Sequence, residues 1–398
     1  MKLHRFISIA ALSGILTALL PLAAPGAPIV VRKQVRNNPT ISCEVSGNPQ
    51  LSEAVRRLLS VCGWFDPVRG NADYQLKVNY AGQAAVELSI GGAPIANWNV
   101  SGGDARDLAK KIVDLVIEKS FKELKVKGFC HTKIAFCAET GKGVRNIYTC
   151  DIDGESTTQI TRFPAICAEP CWTPNAKSIC YSKYTSTGID VIETTVDKPS
   201  RSRILANSRG INSGVAISPS GQEMVLLQSF DHQVDLYITS LNNRRLRRLT
   251  KGIAVEASPC WNPAGTQIAY VSDAGGSPRI FICNRDGSGK KRLPSIGSDA
   301  VTPDWSGDDR IVYATRYQGS YTLGVYDLKS GTNSKVTDEP GNYESPAWAP
   351  DNRQVVCKRT LGGKSSLVVV DTRTGRVRQL LNSPYNLSMP CWSPGNAQ

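Results

Sequence analysis

Histidine is scarce in this chain, with three residues among 398. His4 falls in an apolar leader, which leaves His131 and His232 for any histidine-dependent chemistry. A Ser-His-Asp triad or a histidine-rich metal site therefore has few residues to draw on. The sequence also has no G-x-S-x-G nucleophile turn, no GxxxxGK[S/T] or GxGxxG phosphate loop, and no C-x-x-C zinc pair. These absences argue against a serine hydrolase and a histidine-rich metal site, and no catalytic residue, cofactor or metal site is predicted.

Acidic pairs are present, for example Asp151/Asp153 and Asp308/Asp309, but each pair falls at a predicted turn. Aspartate is favoured at turns because its side chain accepts hydrogen bonds from nearby backbone N–H groups. We interpret these pairs as turn residues and not as catalytic carboxylates.

Long apolar runs are limited to one, at the start of the chain. A basic start with Lys2 and Arg5 precedes the apolar stretch 6–22, and small residues follow up to Ala27. This pattern is typical of a secretory signal peptide, predicted over residues 1–27, with cleavage after Ala24 or Gly26 favoured because Pro28 follows Ala27. An uncleaved anchor helix is the alternative. After cleavage, no membrane span is predicted.

Cysteine is abundant, with twelve residues that all follow the leader. Because free thiols are uncommon in exported proteins, we predict at least one disulfide, although the pairing cannot be derived from the sequence. Three cysteines occupy equivalent positions, at Cys171, Cys260 and Cys391. About half of the twelve are expected to be small buried core residues.

The formal net charge is +13, which favours contact with acidic surfaces such as anionic lipid or cell-wall polymer. The run 244–248, Arg-Arg-Leu-Arg-Arg, has the composition of a nucleic-acid patch. Its position and its alternation instead predict an exposed outer strand whose charges prevent edge pairing. No nucleic-acid partner is predicted.

A short phrase around tryptophan returns along the chain. It reads Glu-Pro-Cys-Trp-Thr-Pro at Trp172 and Ser-Pro-Cys-Trp-Asn-Pro at Trp261, with further copies at Trp305, Trp348 and Trp392. Ile217 takes the tryptophan position in a degenerate copy. Successive copies are 43 to 45 residues apart, a period typical of repeat folds.

Each repeat contains four short runs rich in Val, Ile, Tyr and Thr, separated by Gly, Asp and Pro turns. Four strands in about 44 residues predict one blade of a β-propeller, and six copies predict six blades. The first repeat starts at its second strand, Lys133-Ile134-Ala135-Phe136, whereas the chain stops just after a first strand. We therefore expect residues 388–393 to complete the first blade.

Residues 28–130 lack the phrase. Apolar residues at helical spacing from Leu51 to Leu59 and from Leu108 to Ile117, together with alternating runs at 74–78 and 85–90, predict a small α/β domain. The fold class is thus an all-β six-bladed β-propeller over residues 131–398, preceded by a small α/β domain over residues 28–130.

The combination resembles a known family. A signal peptide, a small α/β domain containing Trp64-Phe65-Asp66-Pro67, and six [S/T]-P-x-W-x-P copies with I-x-Y and I-Y-x-x-D strands are followed by an abrupt end on Pro-Cys-Trp-Ser-Pro. This arrangement is similar to that of the TolB family. The resemblance implies a periplasmic, monomeric, non-enzymatic scaffold of the Tol–Pal system that supports outer-membrane integrity and cell division.

The resemblance also implies two partners. A peptidoglycan-associated lipoprotein would bind the propeller mouth, and an inner-membrane Tol protein would bind the N-terminal segment 27–40. The mouth residues carried over are those in the loops that lead into the tryptophan strands: Glu169, Asn212, Glu256, Ser258, Thr302, Glu344, Ser345 and Ser388. The N-terminal contacts carried over are Arg32, Lys33 and Arg36.

Two departures from the family pattern bear on these contacts. The second mouth loop reads Gly210-Ile211-Asn212, where a His before the Asn is usual, and the N-terminal segment is basic where an acidic stretch is more typical. A periplasmic propeller enzyme and a secreted glycan-binding protein are the alternative functions.

Overall fold

The computed structural model describes residues 37–230, 233–243 and 245–395. The predicted signal peptide, the predicted contacts Arg32, Lys33 and Arg36, and His232 lie outside the described residues. None of the helices in the described ranges has the length and apolar character needed to cross a membrane.

The N-terminal region consists of a five-stranded sheet and two α-helices. Its elements are β1 (Thr40–Ser46), α1 (Pro49–Val61), β2 (Asp66–Pro67), β3 (Tyr74–Tyr80), β4 (Ala84–Ile90), β5 (Ala93–Val100), α2 (Ala105–Ser120) and a 3-10 turn (Lys122–Leu124). The strand order is β2-β1-β3-β4-β5, and β1 runs parallel to both of its neighbours. This is the small α/β arrangement expected from the sequence.

Both helices start at side-chain caps. The Asn48 side chain accepts a hydrogen bond from the N–H of Leu51, and the Asp104 side chain accepts one from the N–H of Asp107. These caps satisfy N–H groups that have no partner within the helix. The apolar face of α1, including Val55, is fully buried, which explains the helical spacing seen in the sequence.

Six four-stranded sheets follow, and we call them blades I to VI. The strands of each blade are given from the innermost to the outermost. Blade I contains β29 (Asn386–Trp392), β6 (Lys133–Gly141), β7 (Val144–Asp151) and β8 (Thr158–Gln159). Blade II contains β9 (Cys167–Trp172), β10 (Ser178–Tyr184), β11 (Ile189–Thr195) and β12 (Ser202–Ala206). Blade III contains β13 (Asn212–Ile217), β14 (Glu223–Phe230), β15 (Gln233–Ser240) and β16 (Arg247–Arg248).

The remaining blades have the same order. Blade IV contains β17 (Glu256–Trp261), β18 (Gln267–Ser272), β19 (Arg279–Asn284) and β20 (Lys291–Arg292). Blade V contains β21 (Val301–Trp305), β22 (Arg310–Tyr317), β23 (Ser320–Asp327) and β24 (Asn333–Lys335). Blade VI contains β25 (Asn342–Trp348), β26 (Gln354–Leu361), β27 (Lys364–Asp371) and β28 (Val377–Leu381).

Blade I is built from both ends of the chain, as predicted. Strand β29 pairs antiparallel with β6, with Trp392 opposite Ile134 and Leu387 opposite Ala138. The N–H of Ser393 also donates to the carbonyl of Lys133 at 2.8 Å. This pairing closes the ring and removes the two strand edges that an open ring would expose.

Tryptophan side chains connect neighbouring blades through one repeated hydrogen bond. The indole N–H of Trp261 donates to the carbonyl of Ala216, the residue that precedes the tryptophan position in the previous blade, at 3.1 Å. Trp172 and Trp348 do the same toward the preceding blades, at 3.1 and 3.2 Å. Because these indoles are buried, each bond satisfies a donor and sets the height of one blade against the next.

The two faces of the propeller differ. In an antiparallel blade, the turns after the first and third strands share one face, which we call the lower face. The loops that lead into the inner strands and the loops between the second and third strands share the other, the upper face. The N-terminal region docks on the lower face of blades I and VI.

Polar contacts hold this docking. The Trp64 indole donates to the Asp351 carboxylate in blade VI at 3.0 Å, and the Lys110 ammonium contacts the Asp151 carboxylate in blade I at 2.9 Å. Burial opposes ionisation of Asp151, but the ammonium groups of Lys110 and Lys133 lower its pKa to about 2. The network therefore keeps its charge at any physiological pH.

The cysteines differ from expectation. All twelve are free thiols, so the prediction of at least one disulfide is wrong for this structure. Most are small core residues, as the sequence suggested. Cys137 and Cys167, for instance, pack in the cluster between blades I and II. Burial raises the pKa of Cys137 to about 12, which keeps that thiol neutral and unreactive.

Removing residues 387–398 should destabilise the protein severely. The deletion exposes the edge of β6 and removes the buried Leu387 and Trp392, a loss of about 5 kcal/mol or more in the free energy of unfolding. Denaturant unfolding of the truncated protein checks this. Deleting only residues 396–398 is the control and should leave the midpoint unchanged. An unchanged midpoint for the longer deletion would rule out the closure.

Two tryptophans provide a matched test of the hydrogen bond between blades. Trp261 and Trp305 are equally buried, but within the described residues the Trp305 indole N–H has no hydrogen-bond partner. Replacement by Phe removes a hydrogen bond only at Trp261. We expect Trp261→Phe to lower the free energy of unfolding by about 1 kcal/mol more than Trp305→Phe. Equal losses in denaturant unfolding would show that the indole bond contributes nothing.

Candidate functional site

A β-bulge lies in each inner strand, three residues before the tryptophan position. The residue there has a left-handed backbone, with φ between 48° and 57° in all six blades. The six residues are Glu169, Gly214, Ser258, Thr302, Ser345 and Met389. A proline follows in every blade except blade III, where Val215 follows. Since a bulge shifts the alternation of side chains along a strand, it directs these six positions to a common ring at the channel.

This ring lines a central cavity of about 610 Å³. Four of the predicted mouth residues, Glu169, Ser258, Thr302 and Ser345, are brought together there. Gly214 and Met389 also line it and were missed. Applying one fixed offset from the tryptophan position to all six repeats would have identified both.

The polar groups of the ring differ in their availability. The Glu169 carboxylate accepts hydrogen bonds from Ser182 at 2.7 Å and from the N–H of Gly214 at 2.9 Å, so it connects blades II and III. The Thr302 hydroxyl is buried and has no partner in the described part of the chain. Because its oxygen has almost no solvent-accessible surface, a partner in the cavity reaches it only if neighbouring side chains move.

Below this ring lies a second one, formed by the residues that precede each tryptophan position. It includes Cys171, Cys260, Asp304 and Cys391. The Asp304 carboxylate accepts the N–H of Trp348 at 2.6 Å, and burial raises its pKa to about 6. Burial likewise raises the pKa of Cys171 to about 11. These side chains therefore pack and accept hydrogen bonds between blades, and the thiols are not nucleophiles.

Four predicted mouth residues, Asn212, Glu256, Glu344 and Ser388, lie outside this cavity's lining. Asn212 is fully buried in blade III, where its side chain donates to the carbonyls of Ile189 and Ser208 and accepts from Gln228. Glu344 pairs with Lys358 at 3.1 Å. Ser388 sits opposite Cys137 in the β29–β6 pairing. Their role as contacts stays a prediction.

Glu256 lines a different cavity, of about 580 Å³, between the loop 250–254 and the loop after β18. Its carboxylate is buried, contacts Ser272 at 3.4 Å through Oε1, and has no partner for Oε2 among the residues described. Burial is the main cause that raises the pKa of Glu256 to about 7, and the nearby Asp235 carboxylate is the second cause. Within the described ranges, no group of three or more Cys, His, Asp or Glu is arranged to hold a metal ion.

The raised pKa predicts a pH dependence of stability. Between pH 4.5 and 7 the unfolded chain releases the Glu256 proton while the folded protein keeps it, so the free energy of unfolding should fall as the pH rises through this window. Glu256→Gln, which cannot ionise, should flatten that part of the profile. The measurement is the denaturation midpoint at half-unit pH steps. An unaltered slope in the variant would assign the dependence to other groups.

Comparison with known proteins places the chain. Residues 122–396 match the family model described as the TolB beta propeller domain. A protein TolB homolog of Chlorobium luteolum is 30% identical over 155 residues, covering 38% of this chain and 34% of that protein. A Tol-Pal system protein TolB of Francisella tularensis is 27% identical over 277 residues, covering 65% of this chain and 61% of that protein. The matches thus span about a third to three fifths of these relatives' length.

Solved structures agree in fold. TolB from Acinetobacter baumannii matches with a TM-score of 0.81 at 19% identity, over 93% of this chain and 98% of that one. A putative TolB from Agrobacterium tumefaciens matches with a TM-score of 0.52 at 16% identity, over 63% and 88% of the respective chains. The propeller, its closure by β29 and the match over residues 122–396 lead to one conclusion: the chain belongs to the TolB β-propeller family.

Proposed function

We propose that this chain is a periplasmic, monomeric and non-enzymatic scaffold of the Tol–Pal system. It connects an inner-membrane Tol protein to a peptidoglycan-associated lipoprotein and thereby supports outer-membrane integrity and cell division. Membership of the TolB family and the name of the Francisella relative, a Tol-Pal system protein, support this proposal.

The observation that carries the proposal is the separation of two surfaces. The N-terminal region occupies the lower face of blades I and VI. The ring of six bulge residues, from Glu169 to Met389, borders the channel near the upper face. A partner at the mouth and a partner at the N-terminal segment can thus bind at the same time. Such an arrangement is what a connecting protein requires.

The mouth is suited to a folded partner. The ring is held by bulges, prolines and hydrogen bonds between blades, so it is formed before binding and little ordering entropy is lost. Its cavity combines small polar side chains with Met389 and several prolines. A few side chains of a lipoprotein loop can enter this volume.

The N-terminal segment 27–40 is the proposed contact for the inner-membrane partner. Its described end is tied to the propeller, because the Asn38 side chain accepts from Arg353 at 2.5 Å and donates to the Gly63 carbonyl at 3.0 Å. A short segment that adds to a partner as a strand is suited to a transient contact. Because Arg32, Lys33 and Arg36 are basic, the partner surface that receives them should be acidic.

The enzyme and glycan-binding alternatives have less support. Among the residues lining the central cavity, the carboxylates are Glu169 and Asp304. Each accepts a backbone N–H from the next blade, Gly214 and Trp348 respectively. This assigns both carboxylates a role in holding blades together, in keeping with a scaffold.

Capture of the lipoprotein tests the proposal. Ser258→Arg combined with Ser345→Arg places two large cations in the cavity without burying a charge in a blade core. We expect about a tenfold or larger loss of affinity, mostly through faster dissociation. Ser220→Arg combined with Ser330→Arg, at exposed turns of the lower face, is the matched control. Surface-immobilised lipoprotein and the purified variants provide the measurement.

A deletion in the N-terminal segment tests whether the two partners bind at separate surfaces. Removing residues 28–36 should abolish capture of the inner-membrane partner and leave lipoprotein capture intact. The deletion ends before Asn38 so that the bond to Arg353 is kept. If the mouth variant captures lipoprotein as the wild type does, the mouth assignment is wrong. If the intact protein captures neither partner, the enzyme or glycan-binding function becomes the better explanation.

A further inference from the structure

A dense group of cations lies on the outer rim of blades III and IV. It comes from β16 and β20, the outermost strands of these neighbouring blades, and from the residues beside them. We call this surface the basic rim. All of its members are exposed, and they are Arg245, Arg247, Arg248, Lys251, Lys290, Lys291 and Arg292.

The basic rim is continuous from one blade to the next. The Arg247 guanidinium donates to the carbonyls of Asp286 at 2.8 Å and Arg285 at 3.0 Å, in the turn that leads into β20. Lys251 of blade III and Lys290 of blade IV line the same cavity of about 580 Å³. The cations of the two blades therefore form one continuous surface and not two separate patches.

Little of this charge is neutralised. Arg248 pairs with the buried Asp235, and the Arg247 contacts are to neutral carbonyls. Within the described ranges, no salt bridge joins any of the other five cations to a carboxylate. Carboxylates also lie near the basic rim: Asp286 interacts electrostatically with Arg247, Asp273 accepts the N–H of Val255, and burial holds the neighbouring Glu256 partly protonated near neutral pH. The seven cations outnumber these carboxylates, so the surface is positive.

An apolar side chain projects from the same surface. Ile253 is 99% exposed, the most exposed large apolar residue in the described chain, and lies two residues after Lys251. Gly252 precedes it with φ of 154°, a backbone conformation that side-chain-bearing residues rarely adopt. The loop thus holds an isoleucine in water at the cavity that Lys251 and Lys290 also line.

We propose that the basic rim and Ile253 together form a docking surface for an anionic lipid bilayer. The cations contact headgroup phosphates, and Ile253 enters the boundary between headgroups and acyl chains. An anionic polymer would also attract the cations but would leave Ile253 in water. The exposed isoleucine therefore favours lipid over polymer. This surface lies outside the central cavity and the inference does not depend on the proposed partners, although Glu256, one of the predicted mouth residues, lines the cavity that Lys251 and Lys290 share.

The segment around Leu124 also combines an exposed apolar residue with lysines. Leu124 is 61% exposed between Lys122 and Lys125. There, however, Glu118 and Glu123 lie among the lysines and reduce the net charge. This segment serves as an internal comparison for the basic rim.

Vesicle sedimentation with the mature exported protein tests the inference. The protein should bind vesicles of 30% phosphatidylglycerol in phosphatidylcholine, lose that binding as salt increases, and ignore pure phosphatidylcholine. Lys251→Glu, Lys290→Glu and Lys291→Glu together should weaken binding by about 100-fold or more. Ile253→Ser should weaken it by about tenfold while leaving the salt dependence unchanged.

Matched controls carry the same changes elsewhere. Lys142→Glu, Lys177→Glu and Lys364→Glu make the same charge change at exposed sites of blades I, II and VI, and Leu124→Ser makes the apolar change. Both should bind like the wild type, and thermal midpoints establish that all variants fold. If the triple variant of the rim and the triple control variant lose vesicle binding equally, the effect is due to net charge alone and the proposed site is wrong. If Ile253→Ser has no effect and polyphosphate competes fully, the surface is a polyanion site and not a lipid-docking one.

Discussion

The contact between neighbouring inner strands at the channel is the constraint on which the ring depends, and a hydrogen bond from a tryptophan indole to a carbonyl of the previous blade fixes three of the six contacts in the described chain. This bond joins Trp172 to Cys391, Trp261 to Ala216 and Trp348 to Asp304. Because donor and acceptor sit one residue apart in the repeated phrase, each bond sets the two inner strands that it joins at one height. The bulges that lie three residues earlier are then at one height too. The mouth is therefore a consequence of how the blades are held together.

The fold could be predicted from the sequence because a 44-residue unit cannot bury its own apolar faces and must pack against copies of itself. The mouth could be predicted only in part. Glu169, Ser258, Thr302 and Ser345 line the cavity, whereas Asn212 and Glu256 do not. The prediction chose residues in the loop before each inner strand. The bulge, however, interrupts the alternation of side chains at this point, and its position decides whether a given side chain faces the channel. That interruption has no local signal beyond the proline that follows it.

The cysteines show where an argument from the compartment fails. Export predicted disulfides, but the structure uses the thiols as small side chains at repeated positions. The residue before the tryptophan is Cys in three blades, Ala at 216 and 347, and Asp at 304. What these residues share is that they fit a crowded ring, and the Asp304 carboxylate also accepts the N–H of Trp348. Size and hydrogen bonding at a fixed position decide these residues, so their number is not evidence of pairing.

The N-terminal region and the basic rim lie on opposite sides of the ring. In a closed ring of six blades, III and IV lie diametrically opposite VI and I. The N-terminal region is held on blades I and VI by ion pairs such as those of Asp151 and Asp153, and the basic rim occupies blades III and IV. A bilayer against the rim would leave the N-terminal region, described from Asn37 onward, on the side away from the lipid and the central cavity open to one side. Lipid docking would then orient the molecule and leave both of these surfaces accessible.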